Sequence, residues 1–283
     1  MKNNWMLVGL LVCAMALSGC AWGFSGIQGS GNVLAETRTV GAFDAVNFAT
    51  IGTLHVTVGE TESLRIEAED NLLPYFIAEV VHDTLILKSQ SGVMFQTTRP
   101  VNFYLTIRDL DTLTLDGSGN VILPDLETTT LVLTLNGSGD LDTDQLTATT
   151  LETHINGSGN INIAGAVVAD QQRIVIKGSG DLRMEELTAE SVVAMISGSG
   201  NISIAAGAVQ LQQLSLNGSG DYQAGTLQSA QTQVGVRGSG SVYVAVTEHL
   251  SANLTGSGNV HCTGQPTVEQ IVRGSGRLVT LEN

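Results

Sequence analysis

Basic residues are scarce in this chain. Twelve Lys and Arg stand against 27 Asp and Glu in 283 residues, a formal net charge of −15. Phosphate binding needs clustered cations whose charge releases counterions, so nucleic acid is excluded as a partner. Aromatic residues are only 4% of the chain, which leaves few platforms on which a sugar could stack. No apolar run reaches the roughly 20 residues that a membrane-crossing helix needs. There are four prolines and three cysteines. What remains is 42% hydrophobic and 14% charged, with 33 glycines. That is too apolar for a disordered acidic tail, and glycine without proline points to repeated tight turns.

The first twenty residues read as an address. Met1-Lys2 is a short basic start, and Trp5 to Leu17 is an apolar run of 13 residues, the length of a signal-peptide core. It ends in Leu17-Ser18-Gly19-Cys20, which resembles a bacterial lipobox. Residues 1–19 are therefore expected to be a lipoprotein signal peptide and Cys20 the lipidated first residue; ordinary secretory cleavage with Cys20 incidental is the alternative. Ala21 follows where an Asp would mark inner-membrane retention, so the expected location is the outer membrane, on its periplasmic or cell-surface face. Membrane contact through Cys20 would persist because a bacterial lipoprotein carries more than one acyl chain. Cys13 leaves with the leader and Cys20 is acylated, so Cys262 remains alone and no intramolecular disulfide is expected.

The glycines are periodic. Gly-Ser-Gly begins at residues 29, 117, 137, 157, 178, 198, 218, 238, 256 and 274, and from 117 onward the spacings are 20, 20, 21, 20, 20, 20, 18 and 18. Two residues before the first Gly stand Leu115, Leu135, Ile155, Ile176, Ile196, Leu216, Val236, Leu254 and Val272. Four residues after it stand Val121, Leu141, Ile161, Leu182, Ile202, Tyr222, Val242, Val260 and Leu278. Alternation around both columns is that of strands with one buried face. A third apolar position follows at Leu126, Leu146, Leu187 and Leu227, though residue 207 is Gly.

A coil of about 20 residues with three sides describes an all-β parallel β-helix, or β-solenoid, whose coils stack at about 4.8 Å. The rival is an antiparallel hairpin sandwich or barrel. In the solenoid the structural turn is formed by Gly117 and Gly119, Gly137 and Gly139, Gly157 and Gly159, Gly178 and Gly180, Gly198 and Gly200, Gly218 and Gly220, Gly238 and Gly240, and Gly256 and Gly258. Glycine is expected there because φ is positive and a Cβ would clash.

The residue after each bend reads Asn120, Asp140, Asn160, Asp181, Asn201, Asp221, Ser241, Asn259 and Arg277. Stacked in one column, adjacent carboxylates would repel by about 1 kcal/mol per pair. Alternation with Asn separates them and predicts a polar ladder. Residues 20–32 are read as lipidated N-terminus and tether, 33–110 as irregular N-terminal coils and cap with room for about four coils, and 111–283 as the regular repeats of the same continuous domain. Gly29-Ser30-Gly31-Asn32 looks like one more bend.

Arg38-Thr39-Val40-Gly41-Ala42-Phe43-Asp44-Ala45-Val46, then Asp70-Asn71-Leu72-Leu73, then repeated Gly-Ser-Gly-Asn/Asp, resemble the bacterial putative auto-transporter adhesin head GIN domain family over roughly residues 38–280. The resemblance implies a secreted or lipidated protein, a right-handed β-helix-like fold and no established activity. It transfers no catalytic or binding residue.

The Asp and Asn ladder offers hard oxygen ligands to a divalent cation, but its alternation separates the carboxylates and a solvated ladder is expected, with no metal and no cofactor. Cys262 falls in the column of Leu123, Ile163, Met184, Ile204 and Val244 and is expected to be buried as a small hydrophobe. His55, His82, His154, His249 and His261 lack ligand spacing. Ser118, Ser138 and the other bend serines recur too often for a nucleophile elbow, and no helix follows to make Gly-Ser-Gly a phosphate loop. A non-enzymatic scaffold for adhesion or for binding a glycan or protein is therefore expected. The alternatives are a polysaccharide-active β-helix enzyme, which needs clustered carboxylates with Arg or Lys, and a self-assembling envelope protein paired end to end.

Overall fold

The computed structural model describes residues 26–281; the leader and Cys20 lie outside the described residues. Apart from one 3-10 turn at Leu73–Tyr75, regular structure here is strand. The regular part is a parallel β-solenoid. Each coil approaches the Gly-Ser-Gly corner along a first side, leaves it along a second and returns along a third. Leu115, Leu135, Ile155, Ile176, Ile196, Leu216, Val236, Leu254 and Val272 are successive parallel register partners. So are Leu141, Ile161, Leu182, Ile202, Tyr222, Val242, Val260 and Leu278 on the second side. Pairing in the regular coils is parallel throughout, which removes the hairpin sandwich.

Alternation explains the core. Inward positions such as Leu133, Ile161, Leu182 and Leu216 are buried because each is covered by its own coil and by the coils on either side. Length changes are absorbed at bends. The 21-residue coil carries a register shift between Ile163 and Ala166, and the first 18-residue coil shortens between Val244 and Ala245, which pair with Ala224 and Gln228 of the coil before it. Gly207, the exception in the third apolar column, has φ of +121°, and a Cβ there would strike the Leu187 carbonyl.

The N-terminal region departs from expectation. Two parallel levels, not four, lie below the first regular corner. Ala45–Ala49 and Thr53–Val58 pair with the first regular coil, and Thr84–Ser89 and Asn102–Ile107 lie beneath them. Three further strands close this end antiparallel: Phe76–Val81 on Thr84–Ser89, Ser63–Glu69 on Asn102–Ile107, and Val33–Arg38 on Ser63–Glu69. Phe48, Phe76 and Phe103 are fully buried and meet edge to face at 5.2 and 5.5 Å. Bulky rings fill a space that repeating aliphatics fill elsewhere.

Gly29-Ser30-Gly31 is not a corner of the stack. From Ile27 on, the segment read as a tether is built into the cap, pairing parallel with Phe95–Gln96. Glu69 is buried, and its carboxylate accepts from the Gly31 amide (2.7 Å), the Thr98 amide (3.0 Å) and the Thr98 hydroxyl. Asp70 accepts from the Ser30 hydroxyl and the Asn32 side-chain amide (2.9 Å). Asn71 accepts from the Ser30 amide and donates to the Gln28 carbonyl. These bonds hold both carboxyls below their usual range, Glu69 chiefly through the Thr98 hydroxyl and Asp70 chiefly through that of Ser30, while burial opposes the shift in each.

Candidate functional site: the glycine corner and its polar columns

At each corner the carbonyl of one coil sits beneath the glycine of the next. The Ser158 amide donates to the Gly137 carbonyl (3.1 Å), and the Ser179 amide to that of Gly157 (3.0 Å). A Cβ on Gly137 would run into the Gly117 carbonyl oxygen, and one on Gly139 into that of Gly119. The same collision recurs at Gly157, Gly159, Gly178, Gly180, Gly198, Gly200, Gly218, Gly220, Gly238, Gly240, Gly256 and Gly258, whereas Gly117 and Gly119 meet Thr50 and Gly52 of the level below. The expectation of positive φ is corrected. Among the described residues the glycines with positive φ are Gly31, Gly52, Gly92, Gly207 and Gly264, so close backbone approach alone excludes a side chain at the corners.

The residues after the corner form one column. Asn120 Oδ1 accepts from the Asp140 amide (2.9 Å), and Asp140 Oδ1 from the Asn160 amide (2.8 Å) and Nδ2 (3.0 Å). Asn160 Oδ1 accepts from the Asp181 amide, Asp181 Oδ1 from the Asn201 amide and Nδ2, and Asn201 Oδ1 from the Asp221 amide. Asp221 Oδ1 accepts from the Ser241 amide, and Asn259 Oδ1 from that of Arg277. The column thus satisfies backbone donors that the bend takes out of the strand ladder.

Sequence reasoning missed a second column just before the corner. Asn47 Nδ2 donates to Asp116 Oδ2 (2.8 Å), Asn136 Nδ2 to Asp116 Oδ1 (2.6 Å) and Asn156 Nδ2 to Asn136 Oδ1 (2.8 Å). Its signal was the run Asp116, Asn136, Asn156 at the residue before the first Gly, broken at Lys177.

Beside the ladder lies a shallow groove of about 330 Å³ where Asp140, Asp142, Asn160, Asn162, Asp181 and Arg183 converge. A larger groove of about 680 Å³ crosses the third side, between Asp109, Glu127 and Asp170 and a group of threonines. Among the described residues, no three His, Cys, Asp or Glu side chains converge to hold a metal ion. Cys262 is buried, pairs in register with Val244, and burial pushes its thiol up. His154 meets Glu152 at 3.2 Å, while His55 stacks on Tyr104 and His261 on Tyr243. Tyr222 is enclosed, donates to Gln212 Oε1 (2.7 Å) and is held protonated by burial. The titratable groups thus serve packing and coil-to-coil bonding; chemically, the corner and its columns offer exposed carboxylates, amides and hydroxyls in fixed rows.

A family model described as "Putative auto-transporter adhesin, head GIN domain" matches residues 42–207 and 169–266. The chain belongs to this family. Among solved structures it is similar to a putative adhesin from Parabacteroides distasonis, at TM-score 0.69 and 20% identity over 90% of this chain and 100% of that one. A putative lipid binding protein from the same organism is similar at TM-score 0.68 and 21% identity, over 90% and 99% of the two chains. A putative adhesin from Parabacteroides merdae has TM-score 0.62 and 18% identity over 90% and 99%. At such identities these likenesses show the fold alone. No curated protein matches the chain in sequence.

Proposed function

We propose that the protein is a lipid-anchored envelope protein whose coils form a non-enzymatic scaffold for adhesion, binding a glycan or a protein. One observation carries the reading: the corner row runs from Gly117 to Gly276 with no insertion longer than one residue, and the columns flanking it are repeated rows of polar groups rather than a single built cleft. Family membership supports it. Attachment through Cys20 places the scaffold at the outer membrane. Two measurements test this. Cys20→Ser should move the protein from the membrane to the soluble fraction, and continued membrane fractionation would remove the anchor. The mature protein should bind members of a glycan and surface-protein array, and an array with no binder would remove the scaffold.

Two other readings each have an observation behind them. The groove holding Asp140, Asp142, Asp181 and Arg183 brings together the groups a polysaccharide-active enzyme uses. Polysaccharide cleavage abolished by Asp142→Asn would replace the scaffold with that enzyme. Among the described residues, no strand lies over the last coil, where Val272 is 44% exposed although its counterpart Leu254 is fully buried. End-to-end pairing of two copies there would raise the mass measured by light scattering with concentration.

A further inference from the structure

The three sides of the regular coils differ in charge. The third side and its flanking bends, residues 124–130, 144–150, 164–171, 185–191, 205–211, 225–231 and 245–249, carry eight exposed acids, among them Asp125, Glu127, Asp170 and Glu190, and no Lys or Arg. The basic residues of the coils stand elsewhere: Arg173 on the first side, Arg183 on the second, and Lys177, Arg237, Arg273 and Arg277 beside the glycines. One face of the stack therefore carries negative charge unopposed by Lys or Arg, densest at residues 125–190 and absent from 205–211 and 225–231.

That face also begins at an open edge. Leu126–Thr128 pairs with Leu146–Ala148 on one flank. On the other flank, the level below supplies no third side. Its chain leaves Thr53–Val58 and enters Ser63–Glu69, which is already paired with Asn102–Ile107 and Val33–Arg38. Among the described residues, no strand pairs with the outer flank of Leu126–Thr128. Glu127 and Thr128 of this edge line the 680 Å³ groove together with Asp109, and the Thr128 hydroxyl points to Asp109 (3.5 Å).

We propose that the third side docks an extended, Lys- and Arg-rich segment of a partner protein, which adds a strand to the open edge at Leu126–Thr128. Strand addition supplies main-chain bonds, and alternate side chains of the added strand face the same way. Cationic side chains on the groove side then meet Asp109 and Glu127, in a field strengthened by Asp170 and the acids of later coils. Charge complementarity selects this occupant over a second copy, because the chain itself is strongly acidic. The inference deepens the scaffold reading and rests on it.

The test is fluorescence anisotropy of the mature protein with a labelled alternating lysine–threonine decapeptide, and with the same peptide N-methylated at alternate backbone nitrogens. The parent peptide should bind, and more weakly as salt rises. Its affinity should fall about tenfold or more in Glu127→Lys/Asp170→Lys and stay unchanged in Asp142→Lys on the second side. The N-methylated peptide, equal in charge, should lose binding to the unaltered protein, a result that no folding defect can mimic. Equal binding of the two peptides would overturn the strand addition, and an insensitive double variant would overturn the site. An array partner that ignores the double variant would leave the scaffold standing and remove this docking surface.

Discussion

The cap and the coils solve one problem with different chemistry. In residues 26–110 the end of the sheet is closed by antiparallel strands, interlocking phenylalanines and a carboxylate clamp whose partners lie 29 to 40 residues away in sequence. Beyond residue 111 each coil is held by the next, through partners about 20 residues away that repeat at every level. A stack can be extended by repetition, but repetition cannot finish it. The end needs side chains that differ from one another, and that is where most of the ring packing is found.

The largest effect should separate the two regions by their glycines. Gly178→Val forces a side chain into the Gly157 carbonyl and should destabilise the coils by about 4 kcal/mol or more in urea unfolding. Gly41→Ala in the cap, where a Cβ meets nothing within 4 Å, should change stability by less than about 0.5 kcal/mol. If both were equally mild, close approach would not be what the corners require. Next, Phe103→Ala should cost about 3–5 kcal/mol, with hydrogen exchange rising in the cap before the coils. Uniform rise would mean that the two regions unfold as one.

Acid should sharpen the contrast. Glu69 and Asp70 are depressed in the folded protein, so their stabilisation is complete above the ordinary carboxylate value and is lost as pH falls through the lower folded values. The Gly31 and Thr98 amides, which donate to Glu69, should lose protection at acid pH. The Ser158 and Ser179 amides, which donate to backbone carbonyls, should keep theirs. Loss at all four together would refute a clamp specific to the cap. Smallest of all, Asp181→Asn keeps an acceptor for the Asn201 amide and should shift stability by less than about 0.5 kcal/mol, whereas Asp181→Ala should cost about 1 kcal/mol.

The coils were legible because their contacts are written as columns: Leu135, Ile155 and Ile176 are aliphatic at nearly equal spacing and are register partners. The alternation of Asp140, Asn160 and Asp181 likewise followed from charges placed one coil apart. The tertiary bonds of the cap were not legible, since nothing near Glu69 in sequence announces Thr98 or Gly31. The same tripeptide misled at Gly29, where its surroundings are a clamp rather than another corner. Positive φ was misread for a related reason. Glycine answers either to backbone conformation or to the nearness of another chain, and a one-dimensional string does not distinguish them. Asp116, Asn136 and Asn156 carried a readable pattern, but only three members long before Lys177 interrupts it.

The alternating column has a bearing on how such a molecule can change length. Excising residues 182–201, one full repeat, would rejoin the corners yet set Asp181 directly beneath Asp221, two carboxylates with no amide between them. Excising 182–221 would leave Asp181 beneath Ser241, the same neighbour that Asp221 has now. Duplication and loss should therefore be tolerated more readily by twos, and the length of the stack would vary in steps of about 9.6 Å, twice the strand spacing.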